Sequence, residues 1–248
     1  MDVQPPGGVG SPIAALAARY GALDGVALLR PLIETEFAGR LAIVSSFGAE
    51  SAIVLAHVAE VDRRTPVLFL DTGRLFDETL RYRDRLIRLL RLEDVRSIAP
   101  NPERLAGEDR LSLLWLEDPD RCCAIRKVEP LIGALEGFSA WVSGRKRYQG
   151  EGRAMLPTFE TDGAGRIRIN PLANWSRDRI VREFLVRDLP RHPLEAQGYA
   201  SIGCVTCTAR VTPGEEPRAG RWRGRDKTEC GIHLSLGLDQ TRPAGDPP

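Results

Sequence analysis

Five cysteines are the residues of this chain best suited to chemistry, and their spacing divides them into four and one. Cys122 and Cys123 are adjacent, and Cys204 and Cys207 form a C-x-x-C pair. A C-x-x-C pair is typical of a zinc site, a redox disulfide or an iron–sulfur cluster. Adjacent cysteines bridge one small ion awkwardly, whereas a cubane with separate iron atoms accepts neighbouring thiolates more readily. The spacing therefore favours a cluster over zinc, and over four unrelated buried cysteines.

Cys230 stands apart from the other four, near the end of the chain. An arginine-rich stretch precedes it, and nearby cations lower the pKa of a thiol and so favour the nucleophilic thiolate. The alternative is a spare surface cysteine, but an exposed free thiol is a liability that needs a reason. We therefore interpret Cys230 as a nucleophile, with His233 three positions later as a candidate substrate contact.

Basic residues are concentrated near these cysteines, although the net charge of the chain is only +1. A nearly neutral chain is not built to bind nucleic acid or an anionic membrane, so any basic site must be local. Arginine forks match oxyanions such as a phosphosulfate, whereas a solvated basic loop is the alternative. The basic segment before Cys230 contains Arg218, Arg221, Arg223, Arg225 and Lys227, and shorter basic elements are Arg126-Lys127 and residues 144–149.

Two loops that follow predicted strands are candidates for holding a nucleotide. The loop 45–48 leads into a helical pattern, where backbone N–H groups and serine hydroxyls can cradle an anion. It lacks the lysine of a Walker loop, so an ordinary strand–helix turn is the alternative. The second loop, residues 71–73, follows another apolar run.

Strands and helices alternate along the chain. Buried strands are predicted at 41–46, 67–70, 95–98, 140–143 and 166–170, each a short apolar run or alternating stretch. Helices are predicted as two short segments between 13 and 37, and over 50–61, 75–92 and 176–189, the last capped by Ser176. The alternation indicates an α/β fold with a parallel twisted sheet and helices on both faces. Ligands of such sheets bind beyond the carboxyl ends of the strands, where both loops fall.

The length of 248 residues predicts one main core with an appended segment. Residues 1–12 are predicted to be a disordered leader, 13–207 a nucleotide-binding and iron–sulfur domain, and 208–248 a loop-rich, mobile segment that carries the nucleophile. The chain starts without a secretory signal pattern, and no apolar stretch approaches a membrane span. Five cysteines in such a chain predict a reducing, cytoplasmic location.

Seven ordered motifs resemble those of the assimilatory adenylyl-sulfate reductases, within the broader phosphoadenylyl-sulfate reductase family. The resemblance implies an adenine nucleotide α-hydrolase-like sheet and a [4Fe–4S] cluster on Cys122, Cys123, Cys204 and Cys207. It also implies a preference for adenosine phosphosulfate over its 3′-phosphorylated form. Lys146 departs from the family pattern, which has arginine there. The motifs span residues 45–50, 70–73, 122–131, 170–172, 203–208, 218–222 and 229–233.

The resemblance further implies a mechanism in sulfate assimilation towards cysteine. The Cys230 thiolate attacks the substrate sulfur, AMP leaves, and a Cys–S-sulfonate remains. Thioredoxin or a similar dithiol carrier then releases sulfite, because four cysteines on a cluster leave none to resolve the adduct. The predicted substrate-binding residues are Ser45, Ser46, Phe47, Gly48, Asp71, Thr72, Gly73, Lys127, Arg147, Arg218, Arg221 and His233.

Three other functions stay open at this point, as does assembly into a homo-oligomer. The first is reduction of 3′-phosphoadenosine 5′-phosphosulfate, alone or as a second substrate. The second is RNA thiolation, which is disfavoured because residues 46–51 differ from the Ser-Gly-Gly-x-Asp-Ser loop that binds ATP, and because the chain is nearly neutral. The third is a zinc-stabilised binding module, in which Cys230 has no task.

Overall fold

The computed structural model describes residues 11–233, so the predictions for residues 1–10 and 234–248 lie outside the described residues. A six-stranded sheet forms its centre. The strands are β1 (Leu41–Ser45), β2 (Val67–Leu70), β3 (Val95–Ile98), β4 (Ala140–Val142), β5 (Phe159–Thr161) and β6 (Ile167–Ile169). They lie in the order β3-β2-β1-β4-β6-β5.

The predicted parallel sheet is confirmed and gains one antiparallel edge. Strands β1, β2, β3, β4 and β6 run parallel, whereas β5 pairs with β6 in the antiparallel sense. The sequence analysis missed β5 because a three-residue strand is too short to show alternation.

The helices connect these strands and flank the sheet. The short helices predicted between residues 13 and 37 are confirmed, the second continuing as a π turn over Leu32–Glu36. The helices predicted over 50–61, 75–92 and 176–189 are also confirmed, with ends shifted by a few residues. Within residues 11–233, none of the helices combines the length and the apolar character needed to cross a membrane. The helices are α1 (Pro12–Tyr20), α2 (Gly25–Pro31), α3 (Ser51–Val61), α4 (Asp77–Leu90), α5 (Pro102–Glu108), α6 (Leu114–Glu117), α7 (Pro119–Cys123), α8 (Glu129–Ala134) and α9 (Arg177–Val186).

Alternate strand residues fill two cores on opposite faces of the sheet. On one face, Ile43, Phe69 and Val142 pack with apolar residues of α2, α3, α4 and α9. On the other face, neighbouring strand positions pack against α8. Successive side chains of a strand point to opposite faces, so buried runs of this kind need cover on both. The prediction of helices on both faces is therefore confirmed. The second core contains Ala42, Leu68, Leu70, Val128, Leu131, Leu135 and Trp141.

The strand order reverses between β1 and β4. Strand β1 pairs with β2 on one side and with β4 on the other, with Ile43 opposite both Val67 and Val142. Chain connections leave in opposite directions from such a switch point, so a crevice opens beyond the carboxyl ends of the two strands. The segments that follow β1 and β4 border this crevice.

Short helices between β3 and β4 carry the adjacent cysteines. Asn101 caps α5 by accepting hydrogen bonds from the backbone N–H groups of Glu103 and Arg104, at 2.8 and 3.2 Å. Asp118 caps α7 in the same way through Arg121 N, at 2.8 Å. Each cap is followed by proline, a pattern typical of a helix start that the sequence analysis did not use. The cap of α7 fixes the helix that ends on the cysteine pair.

Residues 208–233, the described part of the predicted C-terminal segment, pack against these short helices. Their regular structure is a 3-10 turn over Gly231–His233 and an isolated bridge between Thr208 and Arg221. Arg225 donates to the carbonyl of Leu116 at 2.8 Å, and Lys227 pairs with Asp120. Side-chain contacts thus hold a loop-rich segment on the body of the protein.

Replacing Asp162 with alanine tests the packing of the antiparallel edge. The buried Asp162 carboxylate accepts hydrogen bonds from Trp141 Nε1 at 3.0 Å and from Arg166 Nε at 2.8 Å. We expect Asp162→Ala to lower the free energy of unfolding by about 2–4 kcal/mol, since it leaves both donors unpaired. Denaturant titration measures this loss. The exposed Asp77→Ala is the control and costs less than about 1 kcal/mol; equal losses would contradict the account.

The pH dependence of the same variant has a defined sign. Burial acts to raise the pKa of Asp162, but hydrogen bonds from Arg166 and Trp141 outweigh it and hold the pKa below its ordinary value. A carboxyl whose pKa is lowered in the folded state stabilises the protein above its unfolded-state pKa. The difference in the free energy of unfolding between wild type and Asp162→Ala is therefore largest at neutral pH and decreases in acid.

Candidate functional site

A cavity of about 350 Å³ lies at the carboxyl ends of β1 and β4. The segments after the two strands form its walls, and the described end of the C-terminal segment closes one side. This is the switch point where the sheet topology predicts a ligand. The polar and charged residues that line it include Ser45, Ser46, Glu50, Ser143, Arg145, Lys146, Gln149, Arg153, Arg177, Arg191, Glu195, Arg218, Arg221 and His233.

The loop after β1 contributes hydroxyls and backbone to the cavity. Ser45, Ser46 and Gly48 line it, as predicted. Phe47 does not, because its fully buried ring packs edge-on against Phe69 with ring centroids 5.4 Å apart. Phe47 has a left-handed backbone with φ of 48°, and its N–H donates to Ser45 Oγ at 3.1 Å. Phe47 thus anchors the turn that presents its neighbours to the cavity.

Glu50 organises the wall that follows β4. Its carboxylate accepts hydrogen bonds from Lys146 Nζ at 2.8 Å, Gln149 Nε2 at 2.9 Å and the Tyr148 hydroxyl at 2.5 Å. Burial acts to raise the pKa of Glu50, but Lys146 and these donors outweigh it, so the pKa is lowered. Lys146, which departs from the family pattern, therefore has an anionic partner, Glu50, inside the cavity. Its ammonium neutralises this carboxylate as a point charge.

Arg147 lies outside the cavity. It is exposed, and its Nε donates to the carbonyl of Leu156 at 2.8 Å. Its neighbour Lys146 is buried and lines the cavity instead. In this structure Lys146, and not Arg147, is therefore the cation of this pair that faces a ligand there.

The loop after β2 reaches towards the cysteines and is not part of the cavity lining. Asp71 Oδ1 accepts a hydrogen bond from Gly73 N at 3.1 Å, which shapes the turn. The buried Thr72 hydroxyl lies 3.3 Å from Cys204 Sγ, and the Thr72 carbonyl accepts from Arg126 Nη1 at 2.8 Å. The predicted nucleotide loop therefore links the sheet edge to the cysteine region.

The four predicted ligand cysteines lie close together in two subsets. Burial raises the pKa of Cys122, with Cys204 and Cys207 among its electrostatic neighbours. Cys123 instead packs with Trp222 and Cys230 in one buried apolar group, with Cys207 against it. Within residues 11–233, no three histidine, cysteine, aspartate or glutamate side chains are arranged to hold one metal ion.

Cys230 is buried beside Cys123. The Cys123 thiol beside it lowers the pKa of Cys230 well below its ordinary value, against the effect of burial, and Lys127 and Arg221 act in the same direction. Lys127 lies near the same thiols: burial acts to lower its pKa, but Cys204, Cys230 and Cys123 raise it. The predicted nucleophile thus lies in a cationic environment that favours its thiolate.

Among the buried ring nitrogens of residues 11–233 that have no hydrogen-bond partner, two lie in the region of the site. Trp222 Nε1 belongs to the group that contains Cys123 and Cys230, and His233 Nδ1 lies beside the cavity. Burial lowers the pKa of His233 well below its ordinary value, and Arg153 and Arg145 add to the effect. The His233 imidazole is therefore neutral. Unpaired buried donors and acceptors of this kind suit a bound partner.

The sequence analysis missed Arg153 in the cavity wall, and Arg168 and Glu229 nearby, because they lack a spacing signal. Arg153 Nη2 donates to Glu229 Oε2 at 2.8 Å, and Arg168 Nη1 donates to the carbonyl of Ile232 at 3.3 Å. Both arginines therefore hold the segment that carries Cys230. Glu229 stands in a recognised motif, but nothing in its neighbours predicted its pairing across 76 residues.

Known proteins resemble this chain in sequence. The chain matches the family model of the phosphoadenosine phosphosulfate reductase domain over residues 40–210. It is 48% identical over 228 residues to an adenosine 5′-phosphosulfate reductase of Mesorhizobium japonicum, covering 92% of this chain and 89% of that protein. It is 42% identical to a phosphoadenosine 5′-phosphosulfate reductase of Gloeobacter violaceus, covering 79% of this chain and 83% of that protein.

A solved structure agrees with these sequence relationships. The crystal structure of phosphoadenylyl-sulfate reductase from Candida auris, a phosphate complex, superimposes with a TM-score of 0.68 at 25% identity. The match covers 80% of this chain and 96% of that one. The predicted fold and family are both confirmed, and this chain belongs to the phosphoadenosine phosphosulfate reductase family.

Proposed function

We propose that this chain reduces adenosine 5′-phosphosulfate to sulfite and AMP, with thioredoxin or a similar dithiol carrier as the reductant. The proposal rests on two arginines that line the cavity close to the buried group that contains Cys230. Arg218 and Arg221 line the cavity, and the Arg221 guanidinium lies 4.5 Å from the ring centre of Trp222, which packs with Cys230. The same charges can therefore hold an anionic substrate and favour the thiolate that attacks it.

The substrate follows from the relatives and from the chemistry of the cavity. The M. japonicum relative, at 48% identity, is named for adenosine 5′-phosphosulfate, and the G. violaceus relative, at 42%, for the 3′-phosphorylated nucleotide. The higher identity favours the first substrate. A serine loop at the helix start and several arginines suit its two linked anionic groups. A higher kcat/KM for the 3′-phosphorylated nucleotide would favour the alternative.

The reaction divides into two displacements at sulfur. The Cys230 thiolate attacks the sulfur of the sulfo group, and the bond from that sulfur to the bridging oxygen breaks. AMP leaves with the electron pair, and a Cys–S-sulfonate remains. A thiolate of the carrier then attacks the Cys230 sulfur and releases sulfite, and the second thiol of the carrier resolves the mixed disulfide. The two electrons come from the carrier, and Cys230 is restored.

The chain's own residues support the first displacement. Arg218 and Arg221 neutralise the leaving AMP phosphate and the sulfo group, while Lys127 stabilises the attacking thiolate. His233 is neutral, so it can donate one ring proton to an oxygen of the substrate without adding charge. The reaction belongs to sulfate assimilation towards cysteine, and we propose the cytoplasm as its location.

We propose that Cys122, Cys123, Cys204 and Cys207 hold a [4Fe–4S] cluster. Three of the four are buried, and Thr72 holds Cys204 near the sheet edge. The unpaired Trp222 Nε1 lies in the group with Cys123, where a sulfur acceptor would satisfy it. Four thiolates match the donor set of such a cluster. When bound, the cluster would supply an electrostatic field near Lys127, and the proposed dithiol carrier would supply the electrons.

Replacing the nucleophile tests the proposed reaction. We expect Cys230→Ser to lower sulfite release from adenosine 5′-phosphosulfate by at least about a thousandfold, because a serine hydroxyl does not form the thiosulfonate adduct. Sulfite is measured with thioredoxin as reductant. Thr228→Ser, at an exposed position two residues before the buried Cys230, is the control and keeps its rate. A Cys230→Ser enzyme that is folded and retains the wild-type rate would overturn the assignment.

Iron and sulfide analysis tests the cofactor. We expect Cys204→Ser to lose most of its iron, acid-labile sulfide and visible absorption, because it removes one of the four thiolate ligands. Cys230→Ser should retain all three, which makes it the matched control. Zinc without iron or sulfide in the wild-type protein would contradict the cluster and support a zinc-stabilised module.

A further inference from the structure

The Glu229 carboxylate, one residue before Cys230, sits between two guanidinium groups of the cavity wall. It accepts hydrogen bonds from Arg153 Nε at 2.5 Å and from Arg153 Nη2 at 2.8 Å. Arg218 Nη2 donates to the same carboxylate at 3.2 Å and to the carbonyl of Thr228 at 2.7 Å. Both arginines line the cavity. A carboxylate in a two-arginine clamp presents the same chemistry as a bound oxyanion.

This ion pair is largely removed from solvent. The side chains of Arg153, Glu229 and Arg218 are 8%, 17% and 19% exposed, so water screens their attraction little. Burial acts to raise the pKa of Glu229, but Arg153 outweighs it and lowers the pKa. Burial and Arg153 lower the pKa of Arg218 to about 10, so it stays cationic at neutral pH. Glu229 and Arg218 are therefore both charged in the free protein.

Glu229 differs from the other carboxylates that neutralise this wall. Glu50 follows β1 and pairs with Lys146, and Glu160 belongs to β5 and pairs with Arg145 and Arg168. Those carboxylates are attached to the sheet. Glu229 lies on the segment that carries Cys230, and Arg218 holds that segment through side chain and backbone at once. A ligand that takes over the two arginines must therefore release Glu229.

We propose that Glu229 is a tethered anion that occupies the phosphosulfate clamp of the free enzyme and is displaced when substrate binds. The inference rests on the proposed function, because it takes Arg218 as part of that clamp. Displacement makes anion binding and the docking of the Cys230 segment mutually dependent. Competition by Glu229 also lowers the affinity for any ligand whose anionic groups bind the arginines too weakly to displace the carboxylate. It therefore favours a nucleotide with two anionic groups.

The alternative is that Glu229 stays in place and holds the two arginines ready for the substrate. The two roles predict opposite effects of removing its charge. If Glu229 competes with the ligand, neutralising it removes that competition, so anion binding becomes tighter. If Glu229 instead orients Arg153 and Arg218, neutralising it leaves these two cations without a partner, so anion binding becomes weaker or stays unchanged.

Calorimetric titration of the full chain, purified anaerobically, distinguishes them. ADP serves as a stable probe with two linked anionic groups, and adenosine serves as an uncharged one. We expect Glu229→Gln to lower the Kd of ADP about tenfold, the effect of losing one charge-assisted contact of the competitor, and to leave the Kd of adenosine unchanged. Glu215→Gln, which breaks the exposed pair with Arg223 on the same segment, is the control and changes neither.

Two results overturn the inference. One is ADP binding to Glu229→Gln that is equal to or weaker than wild type. The other is an equal gain for ADP and adenosine, which indicates a cavity that has opened for any ligand. If Glu229→Gln does not fold, Glu229→Asp carries the test, because its shorter stem keeps the charge and weakens the clamp contact. The Kd of ADP for Glu229→Asp is then expected to be lower than that of wild type, and a Kd equal to or higher than wild type overturns the inference.

A separate variant reports on the underlying clamp. Arg218→Gln should weaken ADP binding at least about tenfold if Arg218 belongs to the anion site. Unchanged ADP binding in Arg218→Gln would reject the clamp itself. Weaker binding in Arg218→Gln together with no gain in Glu229→Gln would reject only the displacement.

Discussion

Several cations line one cavity at the carboxyl ends of β1 and β4. Three of them, Arg145, Lys146 and Arg153, are buried and need an anion, because a buried unpaired charge is costly. The protein meets this requirement with carboxylates from different parts of the chain. Lys146 pairs with Glu50, Arg145 with Glu160, and Arg153 with Glu229. The strand order, the neighbouring loops and the docked C-terminal segment bring these paired charges together at the cavity. A substrate with two linked anionic groups fits a wall of this kind.

The cysteine region is connected to that wall through the backbone after β2. Thr72 touches Cys204, its carbonyl accepts from Arg126, and Arg126 pairs with the buried Asp109. Arg126 lies in the π turn that follows the adjacent cysteines. One hydrogen-bonded chain therefore joins the sheet edge, the C-x-x-C pair and the helix that ends on Cys123. That helix places Cys123 beside Cys230.

Sequence reasoning identified the parts of the fold and site that have a local signal. Apolar runs marked five strands, and cysteine spacing marked the residues that the structure brings together in two subsets. The three-residue β5 carried too little pattern, and the caps at Asn101 and Asp118 were not read as helix starts. Arg153 and Glu229 were missed because their pairing depends on the docking of distant segments. The choice between Lys146 and Arg147 depends on side-chain direction, which the family pattern does not fix.

The central claim is that Cys230 carries the sulfonate between the two displacements. It is tested most directly by incubating the wild-type protein with adenosine 5′-phosphosulfate in the absence of any reductant, followed by intact-mass and peptide analysis. The account predicts a mass increase equal to one SO₃ group, located on the peptide that contains Cys230 and reversed by reduced thioredoxin. An adduct on another cysteine, or release of sulfite without any adduct and without reductant, would contradict it.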